Sequence, residues 1–444
     1  MSRTRQFHLM VIVSVCGAAL AVWYAPGTLA AGDRDMNFHQ REAAEECIKR
    51  VAREVQEKYY DPSLHGVDLK TRAKEATERI AKVHTLSEVY GVTAWMLEAL
   101  NDSHTFFIPP ARPYDVQHGW EFGFVGDKCY ITAVKPDSDA FAQGIRPGDE
   151  LVSLEGFTVT RENSWKLQYA FEGLAPRSGM HLTLRDPEGK MRTPLVNAKV
   201  KKLPQQVDLL GPGEWYRMKD IRRVSEPRIV EMGEGLMIWK LPSFSIDEGE
   251  IDKYIRLAQK HRGLILDLRG NPGGEEGVLS KMISRFFDRD VTVGERVHRN
   301  RTSPWKIESK ASGKVFSGKI VVLIDSQSAS AAEIFARVIQ IENRGLILGD
   351  RSSGMVMESR PSYFRVGTSD PIVAGVSVTE GELHMQDGKS LEHVGVKPDR
   401  SVLPTPRDLA AGWDPVLAAA AAELSVQLTP EQAGKLFPTL WRTL

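Results

Sequence analysis

Two nearly continuous apolar runs constrain the fold of this chain more than any other feature. Residues 263–268 read GLILDL and residues 319–324 read KIVVLI, and a turn of small residues follows each run. Runs that lack the alternation of a half-exposed strand are typical of strands covered on both faces. Residues 248–261 have a helical pattern, so strand, turn and helix recur from residue 228 onward. The second half of the chain is therefore predicted to be an α/β domain.

The length and charge of the chain exclude several classes of protein. At 444 residues it suggests roughly three domains, and 42% hydrophobic with 26% charged residues is the balance of a folded protein. Lys and Arg total 58 and Asp and Glu total 58, so no net charge attracts nucleic acid. Cys16, Cys47 and Cys129 are too widely spaced for a zinc cluster, although Cys47 and Cys129 remain able to pair. No metal or nucleotide motif is present, so neither a metal nor a cofactor is expected.

The first 31 residues have the pattern of an export signal. Arg3 and Arg5 precede a charge-free stretch at residues 9–25, and small residues up to Ala30 and Ala31 offer a cleavage site. Residues 1–31 are therefore predicted to be removed, which places the mature protein in the periplasm or outside the cell. An uncleaved membrane anchor is the alternative, because residues 9–25 are at the short end of what spans a bilayer.

Changes of pattern divide the rest of the chain into four parts. Residues 37–112 are predicted to be helical, because apolar residues recur there every three or four positions. A proline-rich break ends this part, and residues 113–201 alternate short β-rich runs with turn signals. The α/β core is assigned to residues 202–428, and residues 429–444 form a C-terminal tail.

The β-rich part resembles a PDZ domain. Its run GIRPGDEL at residues 144–151 matches the helix-to-strand turn of that fold. The resemblance implies a glycine-containing loop whose backbone N–H groups bind the C-terminal carboxylate of a peptide, which then adds a strand to the sheet edge. Phe122, Gly123, Phe124 and Val125 occupy the position of that loop and are predicted to bind polypeptide ends. A scaffold module without an open groove is the alternative.

A serine-rich turn joins the second apolar run to the helix that follows it. Ser326, Ser328 and Ser330 lie in this turn, and the helical pattern begins close to Ser330. The first N–H groups of a helix lack intrahelical partners, and the helix dipole is positive at that end, so a developing oxyanion is stabilised there. The turn suits acyl transfer by a serine. A helix cap is the simpler role for each of these serines.

A glycine-rich turn follows the first apolar run and strengthens the catalytic interpretation. Residues 267–274 read DLRGNPGG, and glycines allow backbone N–H groups to approach a ligand without obstruction by side chains. Such a turn can supply a second oxyanion donor. Its combination with SASAAEI at residues 328–334 is far more specific than either motif alone.

These motifs together resemble the C-terminal processing, or tail-specific, serine peptidases. The resemblance spans roughly residues 43–423, and EHVGVKPD at residues 392–399 is similar to a further segment of that family. It implies an α/β peptidase core of the crotonase-like ββα type that cleaves polypeptides. Carried over by position, Ser330 is the nucleophile, and the N–H groups of Ala331 and of Gly273 or Gly274 form the oxyanion hole.

One departure from the family pattern affects the choice of base. The bacterial processing enzymes use a lysine at the position of Met355, and a thioether cannot accept the proton of a serine hydroxyl. Another branch, similar to the tricorn protease core, uses serine, histidine and glutamate, and residues 102–105 read DSHT as in that branch. The resemblance then implies that His104 is the general base and that Glu392 orients its imidazole.

Alternatives remain open for several of these residues. His384 and His393 are rival bases, Glu392 has a possible structural role as an ion-pair partner, and Glu333 either supports the site or is solvated. The sequence thus predicts an exported serine endopeptidase that acts on extended or partly unfolded polypeptides. The competing hypothesis is an inactive peptide-binding protein that kept the fold, and it becomes the better account if His104 cannot reach Ser330.

Overall fold

A computed structural model describes residues 35–112, 114–202, 226–309 and 315–441. The predicted export signal, residues 1–31, lies outside these ranges. No helix within the described ranges is both long and apolar enough to cross a membrane. In the same ranges, no three His, Cys, Asp or Glu side chains are grouped as ligands of a metal ion.

The N-terminal part is helical, as its spacing predicts. Its three helices are α1 (Phe38–Lys58), α2 (Leu69–Ile80) and α3 (Leu86–Glu98). Capping boxes begin two of them: Asn37 pairs with Gln40 at the start of α1, and Thr85 pairs with Glu88 at the start of α3. The inner face of α1 is fully buried. This face packs on a long core strand, so the helices belong to the same body as the core.

A smaller unit follows, which we call the β domain (residues 114–202). Its strands are β2 (Tyr114–Gln117), β3 (Trp120–Val125), β4 (Lys128–Val134), β5 (Glu150–Leu154), β6 (Phe157–Thr158), β7 (Gly179–Arg185), β8 (Met191–Arg192), β9 (Leu195–Asn197) and β10 (Lys199–Lys202). The main sheet has the order β3-β4-β5-β7-β8, with β6 on β5 and β9 on β7. Two short helices, α4 (Asp139–Ala142) and α5 (Ser164–Gln168), accompany it, and α5 continues into a π-helical turn (Tyr169–Leu174).

The core is built on the two apolar runs, which form parallel neighbours in one sheet. Its strands are β11 (Arg228–Met232), β12 (Leu236–Lys240), β13 (Gly263–Asp267), β16 (Lys319–Ile324), β17 (Leu346–Gly349) and β20 (Arg400–Ser401), in that order. All pairs are parallel except β11 with β12. Every residue of β13 is buried, which confirms the expectation of a strand covered on both faces.

Helices cover the two faces of this sheet. Three of them lie on one face: α6 (Glu248–Ala258), α7 (Glu276–Ser284) and α8 (Ala331–Ile341). The other face packs on α10 (Pro415–Glu423) and α11 (Pro430–Gly434), which follow the short helix α9 (Pro406–Ala411). Ala433, Leu436 and Phe437 pack in this second cluster, so the predicted C-terminal tail contributes to the core.

A second core sheet brings the first third of the chain to the catalytic motifs. It contains β1 (Phe106–Ile108), β14 (Val291–His298), β15 (Arg301–Ile307), β18 (Met357–Val366) and β19 (Ile372–Met385). Because β1 pairs antiparallel with β19, the DSHT turn immediately before β1 is held on the core. Cys47 and Cys129 are free, and they lie buried in the separate cores of the helical part and the β domain. They do not form the disulfide that the sequence left open.

Candidate active site

The backbone at Ser330 is strained in a way that presents its side chain. Ser330 lies between β16 and α8 with φ 54° and ψ −118°, in the left-handed half of conformational space that a non-glycine residue enters only at a cost of about 1–3 kcal/mol. Two hydrogen bonds hold its N–H group: Met355 O accepts at 2.9 Å and Glu333 Oε2 at 3.0 Å. The surrounding structure therefore fixes an unfavourable conformation at the predicted nucleophile.

Gly273 packs directly on this turn. A Cβ atom at this position would lie 2.7 Å from Ser330 Cβ and 2.9 Å from Ala331 N, and φ at Gly273 is +97°. Both the close contact and the positive φ require glycine. The glycine-rich turn and the serine turn are thus in contact, although the residues are far apart in the sequence.

The hydrogen bonds distinguish the three predicted oxyanion donors. The N–H group of Gly273 already donates to Asn271 Oδ1 at 2.8 Å. Within the described chain, the N–H groups of Ala331 and Gly274 have no acceptor. Ala331 is the first residue of α8, where an unpaired N–H group is expected. Of the two glycine alternatives, only Gly274 keeps a free donor in this state.

The predicted base and its carboxylate are connected through a third residue. Ser103 Oγ lies 2.7 Å from His104 Nδ1 and donates to Glu392 Oε2 at 3.0 Å. The N–H group of Ser103 donates to Glu392 Oε1 at 2.8 Å, and that of Val356 donates to Glu392 Oε2 at 2.8 Å. Glu392 therefore acts on His104 by way of Ser103, a residue that the sequence analysis did not single out. Its only signal was its place beside His104 in DSHT.

This chain of bonds determines the tautomer of His104. Because the Ser103 hydroxyl donates to Glu392, its oxygen accepts the Nδ1 proton of His104 and leaves Nε2 unprotonated. Burial lowers the pKa of His104 from its usual 6.5, while the charges of Glu392 and Asp102 act in the opposite direction. At neutral pH the imidazole is therefore uncharged and able to accept a proton at Nε2.

His104 and Ser330 line one cleft. The cleft has a volume of about 700 Å³ and lies between the helical part, the β domain and the core. No hydrogen bond joins the two side chains in the described chain. Catalytic hydrogen bonds are often long in enzymes without substrate and shorten in the complex. The structure brings the two residues into one site without the bond that proton transfer requires.

Glu333 supports the site and is not solvated. It is completely buried and accepts four hydrogen bonds, from the N–H groups of Ser330, Gly354 and Met355 and from the hydroxyl of Ser352. Burial raises its pKa from 4.5 to about 7, although all four hydrogen bonds act to lower it. Glu333 thus ties the serine turn to residues 352–355, which form the opposite side of that turn.

The remaining candidates for the base have other partners. Met355 lines the cleft, and its carbonyl oxygen accepts the N–H group of Ser330 as described above. His384 does not line the cleft, and its Nε2 lies 3.4 Å from Glu382 Oε1. His393 does line the cleft, but its Nε2 is bound to Asn101 O at 2.7 Å.

The prediction of a carboxylate-binding loop at residues 122–125 is wrong in one respect. Phe122, Gly123, Phe124 and Val125 lie in strand β3 and not in a loop. The outer edge of β3 is also occupied, because the Ser326 hydroxyl bonds with both Phe124 N and Phe124 O at 3.0 Å, and Gln327 Nε2 donates to Phe122 O at 2.8 Å. The sequence motif was compatible with either conformation, and pairing with β4 extends the backbone here.

An ion pair joins the two walls of the cleft. Glu98 on α3 lies 2.9 Å from Lys166 on α5, and both side chains are largely buried. Next to them, Trp95 is held between two guanidinium groups, with Arg72 at 3.9 Å and Arg79 at 3.8 Å from the ring centroid. The helical part therefore contributes an aromatic side chain to the cleft, and the β domain contributes both aromatic and charged ones.

Known proteins are similar to this chain in sequence and in fold. The sequence model of Peptidase family S41 matches residues 237–402, which contain most of the core sheet, the glycine-rich turn and Ser330. This match confirms the family resemblance that the motifs suggested. More narrowly, the chain is similar to C-terminal processing peptidases.

Two curated relatives illustrate that similarity. A probable CtpA-like serine protease of Staphylococcus haemolyticus is 24% identical over 298 residues, which are 64% of this chain and 53% of the relative. The chloroplastic carboxyl-terminal-processing peptidase 1 of Arabidopsis thaliana is 22% identical over 373 residues, 81% of this chain and 70% of the relative. The chain spans little more than half the length of the staphylococcal protein.

Two solved structures share the fold. Mature CPAF complexed with lactacystin superposes with a TM-score of 0.61 at 16% identity, covering 87% of this chain and 97% of that chain. The photosystem II D1 C-terminal processing protease superposes with a TM-score of 0.52 at 19% identity, covering 89% of this chain and 100% of that chain. At such low identity the likeness concerns the fold and not the chemistry.

Proposed function

We propose that this protein is a serine endopeptidase in which Ser330 is the nucleophile, His104 the general base and Glu392 the carboxylate that supports the base through Ser103. One observation carries the proposal. The bonded chain from Glu392 through Ser103 to His104 ends in the same cleft as the strained Ser330, beside the free N–H group of Ala331. An inactive peptide-binding protein would not need an imidazole prepared in this way.

The geometry suggests the following order of steps. His104 Nε2 takes the hydroxyl proton of Ser330 as Oγ attacks a peptide carbonyl. The N–H groups of Ala331 and Gly274 bind the oxyanion, and the positive end of α8 adds to that stabilisation. The imidazolium then gives its proton to the leaving amine, which departs from the acyl-enzyme. A water molecule, deprotonated by the same imidazole, hydrolyses the ester and restores Ser330.

Extended or partly unfolded polypeptides are the substrates that we propose. The scissile bond has to lie between the walls of a cleft to which three parts of the chain contribute, and a folded domain does not enter a space of about 700 Å³. We further propose that the core is of the crotonase-like ββα type and that the β domain is a PDZ-like module that engages substrate, including free C-termini. A peptide strand on β3 would replace the bonds that Ser326 and Gln327 now make to Phe122 and Phe124.

Export is part of the proposal and is tested separately. Residues 1–31 supply the charged start, apolar stretch and small residues of a secretion signal. N-terminal sequencing of the protein recovered from its native host is expected to begin near Gly32. A chain that still begins at Met1 and remains with the membrane would identify an uncleaved anchor.

Hydrolysis of fluorescein-labelled casein tests the activity, with the modified residue mapped by mass spectrometry after treatment with a fluorophosphonate. We expect the wild type to release fluorescent peptides and to carry the probe on Ser330, and we expect Ser330→Ala to do neither. Ser309→Ala is the matched control, since Ser309 lies outside the cleft and its hydroxyl, within the described ranges, bonds to Phe287 O. Equal casein hydrolysis by Ser330→Ala would exclude Ser330 as the nucleophile.

A further inference from the structure

A buried aspartate directly before the Ser103-His104 pair has no role in the triad described above. Asp102 is 7% exposed and lies where the chain leaves α3 and turns toward β1. A buried carboxylate without a cation beside it is costly unless hydrogen bonds compensate. The described chain places no Lys or Arg in an ion pair with Asp102.

One oxygen of Asp102 organises the turn that carries His104. Asp102 Oδ1 accepts hydrogen bonds from His104 N at 2.9 Å, Thr105 N at 2.6 Å and the hydroxyl of Thr379 at 2.8 Å. Thr379 belongs to β19 and also donates its N–H group to Thr105 Oγ1 at 3.0 Å. Oδ1 therefore fixes the backbone of His104 to the core sheet.

The second oxygen of Asp102 is buried and unpaired. Within the described residues, no hydrogen bond of good geometry reaches Asp102 Oδ2 or the hydroxyl of Tyr59, although the two groups lie close enough for Asp102 to act on that hydroxyl. Burial raises the pKa of Tyr59, and the negative charge of Asp102 raises it further. The tyrosine therefore stays protonated, and Asp102 keeps a carboxylate oxygen that no backbone group requires.

The negative charge of Asp102 acts on His104. Two carboxylates face the imidazole: Glu392, after β19, and Asp102 from the same turn. Tyr59 and Tyr60, after the end of α1, also interact with Asp102, and their raised pKa values keep them uncharged at neutral pH. Burial thus destabilises the imidazolium that forms during proton transfer, and the two negative charges stabilise it.

We propose that Asp102 is a positioning residue, which rests on the function proposed above: Oδ1 fixes the turn that presents His104, and the charge of the carboxylate stabilises the imidazolium during catalysis. The two contributions are separable by substitution. Asp102→Asn keeps an oxygen for the three donors and places an NH₂ group beside the Tyr59 hydroxyl, which is able to accept from it. Asp102→Ala removes both contributions.

The first experiment measures the dependence of kcat/KM on pH with fluorescein-labelled casein. For Asp102→Asn we expect the acidic limb to move to lower pH by roughly one pH unit, because a neighbouring negative charge has been removed. For Asp102→Ala we expect kcat at least about tenfold below that of Asp102→Asn. Asp137→Asn is the matched control, since Asp137 is exposed in the β domain and pairs with Lys135 and Lys199.

The second experiment does not depend on activity. The imidazole of His104 is titrated by NMR in Ser330→Ala with and without Asp102→Asn, and its signal is assigned from its loss in His104→Gln. We expect a lower pKa of His104 without the Asp102 charge. Equal titration curves, or equal acidic limbs in the kinetic experiment, would overturn the inference. If the wild type is inactive but the pKa of His104 still falls in Asp102→Asn, the proposed function is rejected while the effect of Asp102 on His104 stands.

Discussion

The hydroxyl of Ser103 lies 2.7 Å from Nδ1 of His104, which places a serine where a carboxylate directly contacts the imidazole in many serine peptidases. The carboxylate of Glu392 is one step further away and bonds to both the hydroxyl and the N–H group of Ser103. The orientation of His104 therefore depends on the neutral hydroxyl of Ser103, which the carboxylate of Glu392 holds in place.

Ser103→Ala is expected to lower kcat for casein by at least about tenfold, with a smaller effect on KM, because the imidazole loses the group that selects its tautomer. Ser164→Ala provides the control, since Ser164 lines the same cleft and its hydroxyl, within the described residues, bonds to the Arg161 carbonyl alone. Wild-type kcat in Ser103→Ala would show that Glu392 does not act through this hydroxyl.

Met355→Leu is expected to keep kcat/KM within about threefold of the wild type, because a thioether contributes no proton transfer and Leu is of similar volume. The backbone carbonyl that binds Ser330 is unchanged by this substitution. Casein hydrolysis is measured beside His104→Ala, which is expected to be inactive. Loss of activity in Met355→Leu, with no change in thermal stability, would mean that this position has a catalytic role after all.

Glu333 is expected to make stability depend on pH. Its pKa is about 7 in the folded protein against 4.5 normally, so between these values the folded state binds the proton that the unfolded state releases. The stability contributed by this group is therefore fully present below pH 4.5 and is lost as the pH rises through about 7. Glu333→Gln lacks this dependence.

Urea unfolding at pH 5 and pH 8 tests the direction of this pH dependence. Glu333→Gln is less stable than the wild type at both pH values, since its NH₂ group faces N–H donors that need an acceptor. Each unsatisfied group costs about 1–3 kcal/mol. The difference in the free energy of unfolding between wild type and Glu333→Gln should be larger at pH 5 than at pH 8. A difference that is constant or increases with pH would contradict the raised pKa of Glu333.

Arg269 is expected to matter far more for stability than an arginine at the surface. It bonds to the fully buried Asp267 at the end of β13 and to Asp414, which caps α10. Among the described residues, Arg269→Ala leaves Asp267 with Lys240 at 3.3 Å as its ion-pair partner and with the N–H group of residue 269, and it should lower the free energy of unfolding by about 3–5 kcal/mol.

Arg400→Ala is the matched control for Arg269→Ala. Arg400 pairs with Glu423 in solvent, and the loss should be about 0–1 kcal/mol. Urea unfolding of the two variants compares these losses directly. Similar losses would show that Arg269 does not anchor the C-terminal helices to the core.

The sequence predicts the core well because burial leaves a strong pattern. Strand β16 occupies the same residues as the second apolar run, and α8 begins one residue after Ser330. The helical N-terminal part follows its three- and four-residue spacing for the same reason. These elements are defined by which side chains avoid water, and that information is local.

The details of the site depend on contacts that no local pattern encodes. The role of Ser103 depends on where Glu392 lies after the chain has folded, and the choice between Gly273 and Gly274 depends on the side chain of Asn271. The motif at residues 122–125 predicts a loop. It does not reveal that these residues pair with β4 and bond to the serine turn, contacts that hold them as a strand.

The rate at which a fluorophosphonate labels Ser330, measured from pH 4 to pH 9 in wild type and His104→Ala, tests the central claim most directly. The wild-type rate is expected to rise with pH through one ionisation whose midpoint lies below the usual histidine value of 6.5, because burial lowers the pKa of His104 and the neutral imidazole is the active form. His104→Ala should react at least about a hundredfold more slowly and lose this ionisation. Labelling of His104→Ala at the wild-type rate, with the same midpoint, would contradict the account and assign the activation of Ser330 to another group.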